Sequence, residues 1–359
     1  MSDDLLSPLP RPSPSDHPAR ALAQDRPRPP GMLPALRKAA RSGLALADQV
    51  SWHLSRRLLP EGPGLITGAL QSLCSTSSQV DDCALAPNQN VSVEDFRNLV
   101  DTILESGYTV VSPAQVDKEL DPGGKYVMLT FDDGYFNNVL ALDVLEQYEI
   151  PATFFVSTNH VLAQKAFWWD ALSRELVKAG ATDTQRNAAF RQFKAMGADR
   201  IDDYLHRNFG AEALRPLSDR DRPFTRGELA SFARHRWVHL GNHTSDHAIL
   251  TGCSREVMRQ QIQDCQEVLT AIAGYAPIAI SYPNGNHSPA VVEAALAAGL
   301  RVGVTVRPRR NRLPLHGAAG RMNLGRFYFH GGNDPRDEFA RWRTGFIPTH
   351  LIKALMNSA

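Results

Sequence analysis

A chain of 359 residues with 43% apolar and 8% aromatic side chains can bury a large core, which excludes global disorder. Lys+Arg 39 against Asp+Glu 38 leaves a formal net charge of +1, so the overall charge calls for neither nucleic acid nor a strongly anionic partner. The four cysteines, Cys74, Cys83, Cys253 and Cys265, form no CxxC pair and no metal-ligand spacing, and they read as reduced thiols.

The first 34 residues hold nine prolines and few large apolar side chains, the composition of a disordered leader. No basic segment followed by an apolar one precedes it, and no apolar run reaches the roughly 18 residues of a spanning helix, so a cytoplasmic protein is expected. Residues 34–59 place Leu36, Ala40, Leu44, Val50, Leu54 and Leu58 at a helical period among Arg37, Lys38, Arg41, Arg56 and Arg57. This basic amphipathic helix reads either as docked on the following domain or as a peripheral contact with the inner membrane surface.

From about residue 61 the pattern turns globular. A helix is expected at 91–106, opened by Ser92 with Asp95 three residues on, and a short strand at 108–111. Tyr126–Phe131, YVMLTF, is a continuous apolar run of the length and β-branching of a buried strand. A helix to about Tyr148 follows, then a second buried strand at 152–157. Residues 170–222 read as a charged helical insertion, with helices at 171–179 and 183–209. Strands at 237–240, 278–282 and 302–306 then alternate with helices at 255–273 and 289–298, and a last helix is expected at 336–356. Alternation of this kind predicts a parallel sheet, most simply a (β/α) barrel.

Asp132 and Asp133 end the first buried strand, at the mouth where such folds bind ligands, and Gly134 permits a sharp departure from it. Two carboxylates there either cap the next helix or do chemistry. The strand at 237–240 runs into GNHTSDH, and His243 and His247, four apart, are expected to project from one side of a helical turn. With one carboxylate they make a two-His, one-carboxylate set, which holds a divalent ion while leaving positions open for water and substrate.

TFDDGY and GNHTSDH resemble the first two motifs of the polysaccharide deacetylase family, the NodB-homology, chitin-deacetylase-like carbohydrate esterases. Ser281-Tyr282-Pro283-Asn284-Gly285 falls where that family has its third motif, and resembles a branch that carries an aromatic before the proline. The resemblance covers roughly residues 91–329. It implies a distorted (β/α) barrel with a catalytic domain over 61–359. It also implies Asp132 as general base, and Asp133, His243 and His247 as ligands of a divalent metal, zinc ahead of cobalt or nickel.

The sequence departs from the family where an arginine usually stands two residues before the proline and pairs with the base. Ser281 is there instead, and Arg326 or Arg307 is expected to supply the charge. Where a tyrosine commonly follows the proline, this chain has Asn284, whose backbone N–H can still serve an oxyanion. The family's late catalytic histidine has two counterparts, His330 in FYFHGG and His316 in LPLHG. Tyr135, Trp168, Trp169, Tyr282, Pro283 and Asn284 are candidates to line a sugar site, since aromatic faces stack on sugar rings; the tryptophans equally suit packing of the insertion.

The activity implied is removal of N-acetyl groups from amino sugars of a polysaccharide, or of its lipid-linked or oligosaccharide precursor, in exopolysaccharide biosynthesis. The alternatives are hydrolysis of a small-molecule amide or cyclic imide on the same scaffold and, with all four site residues kept, less readily a non-catalytic carbohydrate-binding relative.

Overall fold

Seven consecutive buried residues, Gly64–Leu70, form the strand β1 on which the sheet is built. In the computed structural model, which describes residues 62–76, 90–194, 196 and 198–344, β1 pairs in parallel with β5, Lys125–Phe131, along its whole length. The short strands β2, Ser72–Cys74, and β3, Asn90–Ser92, make a separate parallel pair beside it. β4, Thr109–Val110, lies against the start of β5, and β6, Ala152–Val156, against its end. Beyond β6 come β7, Val238–Asn242, β8, Ala279–Ser281, and β9, Val302–Val304, each parallel to its neighbour. On the other edge β1 pairs with β10, Phe327–Tyr328.

The sheet curls until its two edges nearly meet. Leu324 bridges Val304 of β9, donating to Gly303 O at 2.8 Å and accepting from Thr305 N at 2.8 Å, and three residues later the same segment enters β10 beside β1. Asn311 fastens this join. Its side chain donates to Leu65 O and Gly325 O and accepts from Gly325 N, and its backbone pairs with Leu65. The result is a parallel α/β sheet of the distorted (β/α)-barrel type.

Alternation along the strands separates two faces. Val127, Leu129 and Phe131 of β5, with Ala152, Phe154 and Val156 of β6, pack outward under the helices. Met128 and Phe155 point the other way, into a smaller cluster with Leu65, Ala279, Val302, Val304 and Leu324 inside the curl. The helix Val93–Glu105 covers the outer face with Phe96, Leu99, Val100 and Ile103, and Ser92 caps it by accepting from Asp95 N at 3.0 Å. The helix Arg255–Ala273 does the same on the far side through Met258, Ile262, Cys265 and Leu269.

The insertion after β6 has its own core of Leu172, Leu176, Phe193, Ile201, Leu205 and Leu214. It consists of three helices, Trp168–Lys178, Asp183–Lys194 and Ala198–Phe209, so the single helix expected over 183–209 is broken near Met196. A buried Arg174–Asp221 pair at 3.0 Å ties it down. The sequence did not announce β1, β2, β3 or β10: GLITGAL carries two glycines, and strands of two or three residues have no period to read. Cys74, Cys253 and Cys265 are free thiols. No helix among the described residues is long and apolar enough to cross a membrane. The proline-rich leader, the basic helix at 34–59 with its membrane contact, Cys83 and the end of the last helix beyond Thr344 lie outside the described residues.

Because Asn311 satisfies three backbone groups at the closure, Asn311→Ala strands buried donors and acceptors. We expect a loss of about 2–4 kcal/mol of unfolding free energy, read as a lower urea midpoint; an unchanged midpoint would show that the closure does not depend on this side chain.

Candidate metal and base site

At the C-terminal end of β5 the inward parity that sets Met128 and Thr130 inside the curl carries on to Asp132, which is 3% exposed. Asp133 belongs by parity to the other face. Its backbone, however, takes a left-handed φ of +76°, followed by Gly134 at +87°, and this turns its carboxylate back to the same site. Gly134 is obligatory, because a Cβ there would meet Val156 Cγ1 at 2.8 Å.

Arg326, the last residue before β10, grips Asp132 with two parallel hydrogen bonds, each 2.7 Å. The guanidinium is itself fixed on every side. Its Nε donates to Thr305 O at 2.9 Å, one terminal nitrogen to Thr130 Oγ1 at 3.1 Å, and the other to Ser281 Oγ at 2.9 Å. Of the two arginines expected as partners of Asp132, Arg326 holds that place. Arg307 offers only its backbone carbonyl, which accepts from Arg326 N at 2.9 Å. Burial raises the Asp132 carboxyl, but the charge and hydrogen bonds of Arg326, with His243 and His247 nearby, overcome it and hold the group below the ordinary carboxylate range.

Asp133 is differently placed. Its Oδ2 accepts from Gln71 Nε2 at 2.7 Å, while its Oδ1 is fully buried and receives no donor. His243 Nε2 lies 3.3 Å from that oxygen and His247 Nε2 3.6 Å. One ligand atom from each of the three residues falls within 4.8 Å of the others, and among the described residues this is the group that brings three such atoms together. His243 Nδ1 is engaged by Ser281 O at 2.7 Å, which fixes the ring and leaves Nε2 free to ligate. Burial and the charge of His243 push His247 down to about 4, leaving a neutral imidazole with its lone pair available. Burial opposes protonation of His243 too, yet Asp133 and Asp132 draw its pKa above the ordinary value, so a cation there competes with a proton. An orphaned buried carboxylate oxygen faced by two imidazole nitrogens suits a divalent ion.

The two histidines do not share a helical turn, as their spacing had suggested. Residues 243–249 are an irregular loop with left-handed φ at Thr244 (+63°) and His247 (+54°). Asn242 Oδ1 accepts from Thr244 N, Thr244 Oγ1 accepts from Ala248 N, and Asn159 and Gln261 hold Asp246 from two sides. These short polar links fold the loop back, and the ring centroids end 4.8 Å apart.

The remaining sequence candidates separate by depth. Trp169 sets its ring edgewise on His247 at 4.8 Å and donates from Nε1 to Tyr135 Oη at 2.8 Å. Tyr135 is fully buried and donates to Asp170 Oδ2 at 2.5 Å, so it supports the site from beneath. Burial and the Asp170 charge raise the Tyr135 phenol far above its usual range and keep it a donor. Trp168 stacks on Phe193 in the insertion. Tyr282 is buried with its hydroxyl on Met322 O, Pro283 is buried, and Asn284 sits half-buried on a left-handed turn at φ +54°. His330 lies two residues beyond Tyr328, is exposed, and lies parallel to the Tyr328 ring, 5.9 Å between centroids. His316 is exposed where the helix Gly317–Arg321 begins. Gln71 and Tyr328 went unnoticed in the sequence; a polar residue directly after an apolar run marks Gln71, once GLITGAL is taken as a strand.

Breaking the Arg326–Asp132 pair leaves a buried carboxylate alone. Arg326→Met should lower stability by about 3–5 kcal/mol, and the double variant with Asp132→Leu should recover most of it in thermal unfolding; equal losses in single and double variants would count against a coupled pair. A second test concerns His160, buried against Phe167 and pushed by burial, then by Lys165, from 6.5 to about 3. The unfolded imidazole takes a proton near pH 6.5 and the folded one only near 3, so stability falls as pH drops through that window, by up to about 1.4 kcal/mol per pH unit. His160→Gln should flatten this slope in urea titrations at several pH values; an undiminished slope would assign it elsewhere.

The comparisons with known proteins bear on the family and the fold. The family model described as polysaccharide deacetylase matches residues 119–303. The putative polysaccharide deacetylase YxkH of Bacillus subtilis (strain 168) is 22% identical over 223 residues, which span 61% of this chain and 59% of that protein. Among solved structures, Streptococcus pyogenes deacetylase PplD in complex with acetate superposes with a TM-score of 0.53 at 18% identity, over 77% of this chain and 97% of that one. IcaB from Ammonifex degensii gives 0.52 at 17% identity, over 79% and 98%. At those identities the structures speak for the fold, and the family match carries the rest: this chain belongs to the polysaccharide deacetylase family.

Proposed function

We propose that this protein is a metal-dependent hydrolase that removes N-acetyl groups from amino sugars of a polysaccharide or of its precursor. The observation that carries the reading is the division of labour between two adjacent carboxylates. Asp132 is locked to Arg326 and forms no ion pair with the histidines, whereas Asp133 presents to both of them an oxygen without a hydrogen bond.

Asp133, His243 and His247 would hold a divalent ion, zinc by the chemistry of one carboxylate and two imidazoles. When bound, such an ion supplies Lewis acidity toward water and toward the amide carbonyl. Asp132 takes the proton of the attacking water. Its low pKa, held by Arg326, keeps it ionised, with a carboxylate oxygen able to accept a proton. Arg326 also fixes which way the carboxylate faces, since both of its oxygens are bonded to the guanidinium and neither can rotate away. The Asn284 backbone N–H, on the turn that follows Pro283, stabilises the oxyanion as the carbonyl becomes tetrahedral. His330 protonates the departing amine; its ring lies parallel to Tyr328, which Arg326 overlies, and this favours it over His316. Trp169, held by Tyr135 and Asp170, keeps His247 in place and offers the sugar an aromatic edge.

The test is acetate release from chitooligosaccharides by the purified protein, with small cyclic imides as the competing substrate class, before and after chelation and metal return. Acetate release lost on chelation and restored by zinc is expected. Asp132→Asn should cut turnover by about 10²–10⁴-fold with metal content intact, whereas His247→Gln should lose the metal. Full turnover in the chelated protein, or imide hydrolysis without acetate release, would overturn the reading.

A further inference from the structure

A cavity of about 300 Å³ lies beside the third motif. One wall is the loop Asn284-Gly285-Asn286-His287, and the facing wall is Val306 and Arg307, which prolong β9. The walls meet closely: a Cβ on Gly285 would stand 2.6 Å from Val306, so the loop lies flat against the strand end and the cavity is preformed. His287 is held as well, stacked on Tyr282 at 5.2 Å with Nδ1 beside Gly285 O.

Both walls are anchored on the catalytic residues. Ser281, three residues before Asn284, holds His243 through its carbonyl and Arg326 through its hydroxyl. Thr305 and Arg307 accept from the side chain and backbone of Arg326. Three residues span at most about 10 Å, so the cavity lies within reach of the next unit of a glycan whose amide sits at the metal ligands.

Its charge is one-sided. Arg307 is exposed, lines the cavity and makes no ion pair among the described residues, and no acidic residue lines it. The neighbouring arginine, Arg326, spends its charge on Asp132, so Arg307 is the cation left for a ligand. Around it stand hydroxyl, amide and imidazole groups of Thr251, Asn284, Asn286 and His287, which suit sugar hydroxyls.

We propose that this cavity is an anion-reading subsite, in which Arg307 binds a carboxylate or phosphate on the sugar unit adjoining the one deacetylated. The inference rests on the deacetylase reading for where the glycan lies, and it selects acidic glycans or phosphate-linked precursors over neutral ones.

The experiment is calorimetric binding to the full-length, zinc-loaded protein, with acetate release followed in the same samples. The probes are a tetrasaccharide alternating glucuronate with N-acetylglucosamine, neutral chitotetraose, and N-acetylglucosamine 1-phosphate. The acidic tetrasaccharide or the sugar phosphate should bind roughly tenfold more tightly than the neutral one, with a preference that shrinks as salt rises. Whichever acidic probe binds more tightly identifies carboxylate or phosphate as the group read. Arg307→Gln should collapse the preference to near unity, and Arg307→Lys should restore part of it. Acidic binding that depends on Arg307 without acetate release supports the subsite and contradicts the deacetylase reading. Equal affinity for acidic and neutral probes, or a preference that survives Arg307→Gln, overturns the subsite.

Discussion

Two carboxylates side by side in a buried barrel mouth, with one buried arginine bonded to the first of them, set the terms for everything else in this molecule. Asp132 and Asp133 are almost wholly removed from water, and like charges so close repel strongly where the dielectric is low. Arg326 answers one of them in full, with a two-pronged grip and three further bonds that hold the guanidinium itself. It cannot answer the other. Asp133 gains one hydrogen bond from Gln71 and leaves an oxygen bare toward two imidazoles. The site therefore has a place for a second positive charge, and the nitrogens around that place are the ligands a zinc-like ion accepts.

The rest of the fold follows from holding this cluster. Left-handed backbone at Asp133, Thr244, His247 and Asn284 is unfavourable at each position, and all four lie on loops at the mouth. What compensates is a tightly bound scaffold beneath: β1 and β5 paired in full, the closure tied by Leu324 and Asn311, and the buried trio of Trp169, Tyr135 and Asp170 under His247. Strain at the mouth and order below are two sides of one arrangement.

Much of this was legible in the sequence because chemistry and periodicity coincide there. YVMLTF followed by DDG announces a buried strand with acids at its tip, and the inward parity of Asp132 follows from its place two and four residues beyond Thr130 and Met128. HxxxH marks the histidines, although the route that joins them is an irregular loop fixed by Asn242 and Thr244, which spacing alone could not reveal. Arg326 stood out as a candidate because the third motif lacks its arginine. The structure shows why Ser281 is tolerated there: its small hydroxyl leaves room for a guanidinium arriving from the opposite edge of the sheet, and accepts a hydrogen bond from it. What could not be read are features that exist only in three dimensions. β10 is two residues long, β1 is interrupted by glycine, and Gln71, Tyr328 and the Arg307 cavity acquire meaning only once the sheet curls.

In the proposed mechanism the two carboxylates divide their labour, Asp133 ligating and Asp132 held apart by Arg326. Zinc-edge anomalous diffraction from crystals of the zinc-loaded protein tests it most directly. One strong peak is expected about 2.0–2.2 Å from an Asp133 oxygen and from Nε2 of His243 and His247, with Arg326 still bonded to both oxygens of Asp132. A peak coordinated by Asp132, or zinc-loaded crystals with no peak among these three residues, would contradict it.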